Sequence, residues 1–270
     1  MDIKLLAVDI DETSVNSRHR MTNRTQNALK MAIQQGVVVV PVTGRCVEGF
    51  PAKLREMDIS YFITSNGAKV YDWGNQKVLY RRLIPNQIAC EVLNICQETK
   101  MGIAIHSNGK CYDDSSVQAV YRKLAYHGDF KSHKKVADLQ AWVKESKKPL
   151  EKIQVFSFQQ EKLEALKDRL TQFSMLELAV STSGYMEITH HEAKKGLALQ
   201  TLCTHLNIPL EQVMAIGDNE NDQSMLSKVG FPVAMGNAKE EIQRIAKYVT
   251  GTNDEDGVAQ AVEKWVLNKE

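Results

Sequence analysis

The sequence predicts an α/β protein whose doubly wound, mostly parallel sheet is interrupted by an inserted α+β domain. Three observations predict it. Apolar runs of strand length alternate with helical stretches from Ile3 to Ser65, the same alternation resumes near residue 189, and between them the pattern changes character. The expected boundaries are 1–83 for the first part of the main domain, 84–188 for the insertion and 189–270 for the second part.

Ile3 to Val8 is short, apolar and bounded by charge, which suits a central strand buried on both faces. Thr22 to Gln35 carries Ala28, Leu29, Ala32 and Ile33 at helical spacing, and Gly36 stands where a left-handed stop residue is wanted. VVVVPV at 37–42 is a second strand and TGR at 43–45 its exit loop. VEGFPAKLREM is expected to be helical, with Pro51 either in the first turn or breaking it. YFITS at 61–65 completes β-α-β-α-β, and KVYDW, Gly74-Asn75 and KVLYRRL read as a hairpin attached to the same sheet.

In the insertion, helical stretches such as NQIACEVLNICQET and QEKLEALKDRLTQF alternate with the short strands GIAIHS, KIQVFSF and LELAVST. The Lys-rich HGDFKSHKKVADLQAW joins them. KKGLALQTLCTHL then begins a second winding of helix, strand VMAIGD, helix NDQSMLSKV, strand FPVAM, and helix AKEEIQRIAKYV running into a last strand. Met31, Met57, Met214, Met225 and Met235 read as core filler.

Composition excludes several classes. Lys and Arg number 34 against 33 Asp and Glu, so a net charge of +1 gives no electrostatic reason to expect nucleic acid or an anionic membrane. Trp73, Trp142 and Trp265 are too dispersed for a base-stacking platform. Five scattered cysteines without a CxxC pair disfavour a disulfide framework or a Cys-based zinc site, and fit a reducing cytoplasm. No apolar stretch approaches the ~20 residues of a bilayer span. The N-terminus lacks a signal-peptide layout, so the mature chain is expected to begin near Met1.

Three polar clusters follow predicted strands directly: Asp9 with Asp11, Thr43-Gly44-Arg45, and GDNEND at 217–222. In an open parallel sheet, ligands bind beyond the carboxyl ends of strands where the winding reverses. If the two halves wind in opposite directions from the first strand, Asp9, Asp11 and Asp218 meet there. Three carboxylates at close range require a cation or protonation, and hard oxygen ligands with room for water and phosphate suit Mg²⁺ better than Ca²⁺ or zinc. A calcium loop fails from either start: its glycine and closing glutamate positions are Ser14 and Arg20 from Asp9, and Gln223 and Val229 from Asp218. Neither GxxxxGK[ST] nor GxGxxG occurs. His190-His191-Glu192 is set aside as a metal site, because adjacent strand residues point to opposite faces.

DIDET at 9–13, VTGR at 42–45, TSNGA at 64–68, Lys195-Gly196 and AIGDNENDQSML at 215–226 occur in an order that resembles the haloacid dehalogenase-like superfamily. Within it the chain looks like the Cof-type sugar-phosphatase branch, with a Rossmann-like core and a type IIB cap. The likeness extends to FPVAMGNA at 231–238 and DGVAQAVEKWV at 256–266. The resemblance implies a Mg²⁺-dependent phosphatase acting on small phosphorylated metabolites through an aspartyl-phosphate. Asp9 would be the nucleophile, and Asp11 the acid that protonates the leaving alkoxide and then activates water. Asp9, Asp218 and the Asp11 backbone carbonyl would bind the metal. The Ile10 backbone, Thr43, Gly44, Asn221 and Lys195 would hold the phosphoryl oxygens. Lys194 is the bland neighbour, and Gly196 favours Lys195. Asp222 would support the shell, and Arg45 would contact phosphate, substrate or a surface carboxylate. The cap would close over the site and select the leaving group.

Asp11 needs a raised pKa for that role; Asp9, Asp218 and Glu12 would raise it, while Mg²⁺ opposes them. Glu12 stands where the family usually has glycine, and Ser14-Val15 where an apolar pair is usual, which bears on turnover. Two other readings share the motifs: a phosphomutase that hands the phosphate to a sugar hydroxyl, and a non-catalytic sensor of phosphorylated ligands. Sugar phosphates, nucleotides and phosphorylated cofactors all fit as substrates. Nothing in the sequence distinguishes a monomer from a weak dimer.

Overall fold

The structure is a computed structural model that describes residues 2–113, 133–180 and 184–268. The chain divides into two compact units. Unit 1 comprises Met1–Arg45, Phe50–Arg81 and Lys194–Glu270; unit 2 comprises Cys46–Gly49 and Arg82–Ala193.

Unit 1 is built on five parallel strands: β1 (Leu5–Val8), β2 (Val38–Pro41), β12 (Val213–Gly217), β13 (Phe231–Ala234) and β14 (Tyr248–Val249). Their order is β14-β13-β12-β1-β2, so the winding reverses between β1 and β12. Leu5, Leu6, Ala7 and Val8 are fully buried, as a strand covered on both faces requires. Helix α1 (Asn23–Gln34) starts at Thr22, whose side chain accepts the Thr25 N–H. It buries Ala28, Leu29 and Ala32 and stops at Gly36, with φ +83°. Met57, Met214, Met225 and Met235 fill the core, and Met31 packs against it.

The third strand departs from expectation. β3 (Tyr61–Thr64) belongs to an antiparallel sheet with β4 (Lys69–Asp72) and β5 (Lys77–Arg81), and meets the parallel sheet only at a bridge between Val42 and Ile63. The N–H groups of Val38 and Val42 point to β1, whereas Thr43 N–H points to Ile63. Pro41 therefore lacks its donor on the β3 side, and the ladder cannot form there. Pro51 breaks the stretch after β2, leaving the one-turn helix α2 (Ala52–Arg55).

Unit 2 has a six-stranded sheet in the order β10-β11-β9-β6-β7-β8. The strands are β6 (Gly102–Ser107), β7 (Lys110–Asp113), β8 (His133–Lys135), β9 (Lys152–Phe156), β10 (Leu176–Val180) and β11 (Tyr185–His190). All pairings are antiparallel except β7 with β8. Helices α3 (Asn86–Glu98), α4 (Leu139–Ser146) and α5 (Gln160–Leu170) share an apolar core with Ile103, Ile105, Ile153, Val155, Met186 and Ile188. These are alternate strand residues, so one sheet face carries the core. The other face carries Lys152, whose Nζ lies 2.5 Å from Glu187 Oε1. Cys46–Gly49 joins this unit through Glu48 N–H to Gly109 carbonyl (3.2 Å), and Cys46 packs with Ala104 and Cys111. Parts of the Lys-rich segment from His127 and of LELAVST lie outside the described residues.

The remaining unit 1 helices are α6 (Lys195–Leu206), α7 (Glu220–Leu226), α8 (Glu240–Ile245) and α9 (Gly257–Trp265). Among the described residues no helix is long and apolar enough to cross a membrane.

Candidate active site

The carboxyl ends of β1 and β12 are neighbours, with Val8 in register with Ile216, so Asp9 and Asp218 emerge side by side. The positions are topological in origin: both follow strands that meet where the winding reverses. Asp9, Asp218 and Asp222 are all buried and each offers an oxygen within 4.8 Å of the others.

Lys195 stands at the first turn of α6 with its side chain fully buried, and its Nζ donates to Asp9 Oδ1 and Asp222 Oδ1, both at 2.6 Å. A lysine at a helix start gains nothing from the helix dipole, so these two carboxylates are what hold it. Burial lowers its pKa, but Asp222 and Asp9 outweigh that and raise it, keeping the ammonium charged. Lys194 only precedes the helix. Gly196 follows because a Cβ there would lie 1.9 Å from the Ser224 carbonyl oxygen, too close for any other residue.

Asp222 does three jobs. One oxygen takes the lysine; the other accepts the N–H groups of Asp218 (2.9 Å) and Asn219 (3.1 Å), closing a capping box at the start of α7. A Cβ on Gly217 would meet Asp222 Cγ at 2.5 Å, so glycine is what lets that carboxylate fold back. Its oxygens are thus committed to protein donors, in keeping with a supporting role. Thr13 Oγ1 donates to Asp218 Oδ1 at 2.6 Å.

Burial pushes Asp9 well up from the usual carboxylate range; Lys195 opposes the rise, while Asp222, Asp218 and Asp11 add to it. Burial, then Asp222, pushes Asp218 up to about 7. Once all three are ionised, three buried carboxylates against one ammonium leave two negative charges uncompensated, an imbalance that adds to burial in raising Asp9 and Asp218 until a cation offsets it. All the donors are hard oxygens. This set suits one divalent cation by charge and by ligand type.

Asp11 is arranged otherwise. Its carboxylate lies outside that group and pairs with Arg45: Nε lies 2.9 Å from Oδ2 and Nη2 lies 2.5 Å from Oδ1. Burial would raise the Asp11 pKa, but the Arg45 guanidinium overrides it and holds the carboxyl below its ordinary value. Asp9, Asp218 and Glu12 left the sign of the shift open against a bound cation; the nearer positive charge of Arg45 decides it.

Residues 10–14 form a tight loop closed by Val15 N–H to the Ile10 carbonyl (3.0 Å) and by Ser14 Oγ donating to the Asp9 carbonyl. Glu12 adopts φ +55°, which explains why glycine suits the position. Thr43 is fully buried and accepts the Arg45 N–H on its hydroxyl (3.1 Å), while its carbonyl accepts Asn66 N–H (3.0 Å). Gly44 lies between them in the same turn. Asn221 is in the first turn of α7, where its Nδ2 meets Asn66 Oδ1 at 3.3 Å.

His190 and His191 do not point apart. Their rings stack with centroids 4.6 Å apart, because β11 ends at His190 and strand alternation ends with it. His190 Nδ1 accepts Glu192 N–H, His191 Nδ1 bonds the Met175 carbonyl, and Glu192 pairs with Arg82 at 2.7 Å. The three side chains together bring one possible ligand atom each within 4.8 Å of the others.

A family model described as haloacid dehalogenase-like hydrolase matches residues 6–262. The phosphatase YwpJ of Bacillus subtilis is 35% identical, over 95% of this chain and 98% of that protein. A haloacid dehalogenase-like hydrolase structure from B. subtilis superposes with TM-score 0.87 at 30% identity, covering 97% of this chain and 100% of that one. A subclass IIB sugar phosphatase of the same superfamily, BT4131, superposes with TM-score 0.81 at 26% identity, covering 98% and 99%.

Proposed function

The chain belongs to the haloacid dehalogenase-like hydrolases, and from that membership we propose that it is a Mg²⁺-dependent phosphatase of small phosphorylated metabolites, sugar phosphates foremost. The observation that carries the reading is Lys195 Nζ at 2.6 Å from both Asp9 and Asp222, beside Asp218, at the switch point of the sheet.

Asp9 attacks phosphorus in line; a P–O bond to the carboxylate forms as the ester P–O bond breaks, and the leaving oxygen takes a proton from Asp11. Water then attacks the aspartyl-phosphate with Asp11 accepting its proton, which returns Asp9 and releases phosphate. Lys195, Thr43, the Gly44 and Ile10 backbone and Asn221 hold the phosphoryl oxygens. Asp9, Asp218 and the Asp11 carbonyl would hold a Mg²⁺ ion, which when bound would supply charge stabilisation for the phosphoryl group. Arg45 keeps Asp11 ionised in the resting protein. An ester arriving as its monoanion can hand its proton to Asp11 and, as the resulting dianion, take the guanidinium in exchange, which leaves Asp11 carrying the proton it gives to the leaving oxygen.

Unit 1 carries every residue named for the chemistry. The cysteines are free, and burial pushes Cys46 and Cys203 up to about 11 and Cys96 to about 12, so these three are not activated thiols. Free thiols fit a cytoplasmic protein.

The test is phosphate release from an aryl phosphate with and without Mg²⁺, in the natural protein and in Asp9→Asn. Release that requires Mg²⁺ and is abolished in the variant is expected. Turnover retained by a folded Asp9→Asn protein would refute the nucleophile assignment.

A further inference from the structure

Two stretches take no part in the chemistry so far: FPVAMGNA at 231–238 and the DGVA region from Asp256. Both end beside the loop that follows Asp9. Asn237 Nδ2 donates to the Glu12 carbonyl at 2.9 Å, and Asn253 Nδ2 donates to the Val15 carbonyl at 3.1 Å. Asp254 Oδ1 accepts Ser17 N–H at 2.9 Å, and Asp256 Oδ1 accepts the hydroxyls of Thr22 and Thr25 at 2.5 and 3.2 Å. A segment more than 200 positions downstream thus holds the chain between Glu12 and Thr25 at five points, from the loop after Asp9 to the first turn of α1.

The clamp is itself braced. Asn253 N–H donates to Asn237 Oδ1 at 2.9 Å, so the Asn237 amide is held at both ends. An N–H can only donate and a carbonyl only accept, which determines how that amide is turned. Glu255 accepts the N–H and hydroxyl of Thr252 at 3.0 and 2.9 Å, closing the turn that carries Asn253 and Asp254.

What the clamp holds is a residue in an unfavourable conformation. Glu12 sits at φ +55°, ψ 8°, which a residue with a side chain leaves unless held. The turn at Glu12 aims Asp11 on one side and Thr13, bonded to Asp218, on the other. We propose that Asn237 and Asn253 are positioning residues for the phosphatase reaction, fixing the Asp11–Glu12–Thr13 turn from the far end of the chain. The proposal rests on the phosphatase reading only for its kinetic arm.

The test uses the full chain with Asn237→Ala, Asn237→Asp and Asn253→Ala. Asn237→Asp keeps the acceptor for Asn253 N–H but sets an oxygen against the Glu12 carbonyl. Three quantities are read: kcat and KM on an aryl phosphate with Mg²⁺, hydrogen–deuterium exchange of the peptide spanning residues 9–17, and thermal unfolding. Loss of one such bond should speed exchange in that peptide by about fivefold. Small misplacement of reacting groups should lower kcat by about 10- to 100-fold with KM within about twofold. Both Asn237 variants should behave alike, Asn253→Ala should show a smaller change in the same direction, and the melting temperature should fall by no more than about 2–4 °C. Unchanged exchange at 9–17 in both Asn237 variants would overturn the proposal, as would faster exchange with kcat intact in an active enzyme. If the natural protein releases no phosphate, the phosphatase reading fails by itself and exchange at 9–17 still decides whether the clamp exists.

Discussion

Replacing Asp218 with Asn, and following the stability of the metal-free protein with pH, probes the electrostatics of the carboxylate group directly. Asp218 is 5% exposed and its pKa stands near 7 instead of 3.8, burial being the largest cause and Asp222 the next. Between those two pH values the folded protein keeps a proton that the unfolded chain has released. Stability contributed by that proton is complete below about pH 4 and is lost as pH rises through about 7. The gap of about three pH units, at ~1.36 kcal/mol each, comes to about 4 kcal/mol. Asp9, displaced in the same direction, adds to the decline. In Asp218→Asn the amide would have no such proton to lose, and its carbonyl oxygen would still accept the Thr13 hydroxyl. Urea unfolding of chelator-treated protein from pH 4 to pH 8 should therefore show the variant gaining on the natural protein by up to about 4 kcal/mol. Saturating Mg²⁺ should restore the natural protein at pH 8 and leave the variant nearly unmoved. A natural protein whose metal-free stability stays level or rises over this range, in parallel with the variant, would refute the reasoning.

Two further substitutions test the neighbouring loop. Arg45→Gln removes the charge that holds Asp11 below its ordinary pKa, so the carboxyl should keep its proton to higher pH. The basic limb of the kcat/KM profile should move upward, and a profile that stays put would show that Asp11 is not the acid. Glu12→Gly relieves the φ +55° turn and should stabilise the fold by about 1 kcal/mol in urea unfolding. It also removes one of the charges that raise Asp218, so the pH decline described above should end at a slightly lower pH and be slightly smaller.

The sequence by itself determined whatever depends on local periodicity and on a topological rule. A strand buried on both faces must be apolar throughout, so Leu5–Val8 was legible as a central strand, and Val213–Gly217 as a strand. Gly36 marked the end of α1 because a left-handed stop tolerates no Cβ cheaply. Asp9 and Asp218 could be brought together because strands that wind in opposite directions place their carboxyl ends at one crevice. Lys195 could be preferred over Lys194 because glycine follows it.

Tertiary structure alone decided which charges neighbour each other. Arg45 is two residues from Thr43, yet only the path of its side chain puts it on Asp11 and reverses the sign of that residue's pKa shift. Asn237 and Asn253 look like ordinary turn residues; that they reach Glu12 and Val15 follows from where the chain returns after β13 and β14. His190 and His191 stack because the strand stops between them, and β3 leaves the parallel sheet because Pro41 withholds a donor on that side. Periodicity records which face of an element is buried, not which residue two hundred positions away lies across from it. Hydrogen bonds and charge pairs act over a few ångströms, so their partners are set by chain path and register once the core has closed.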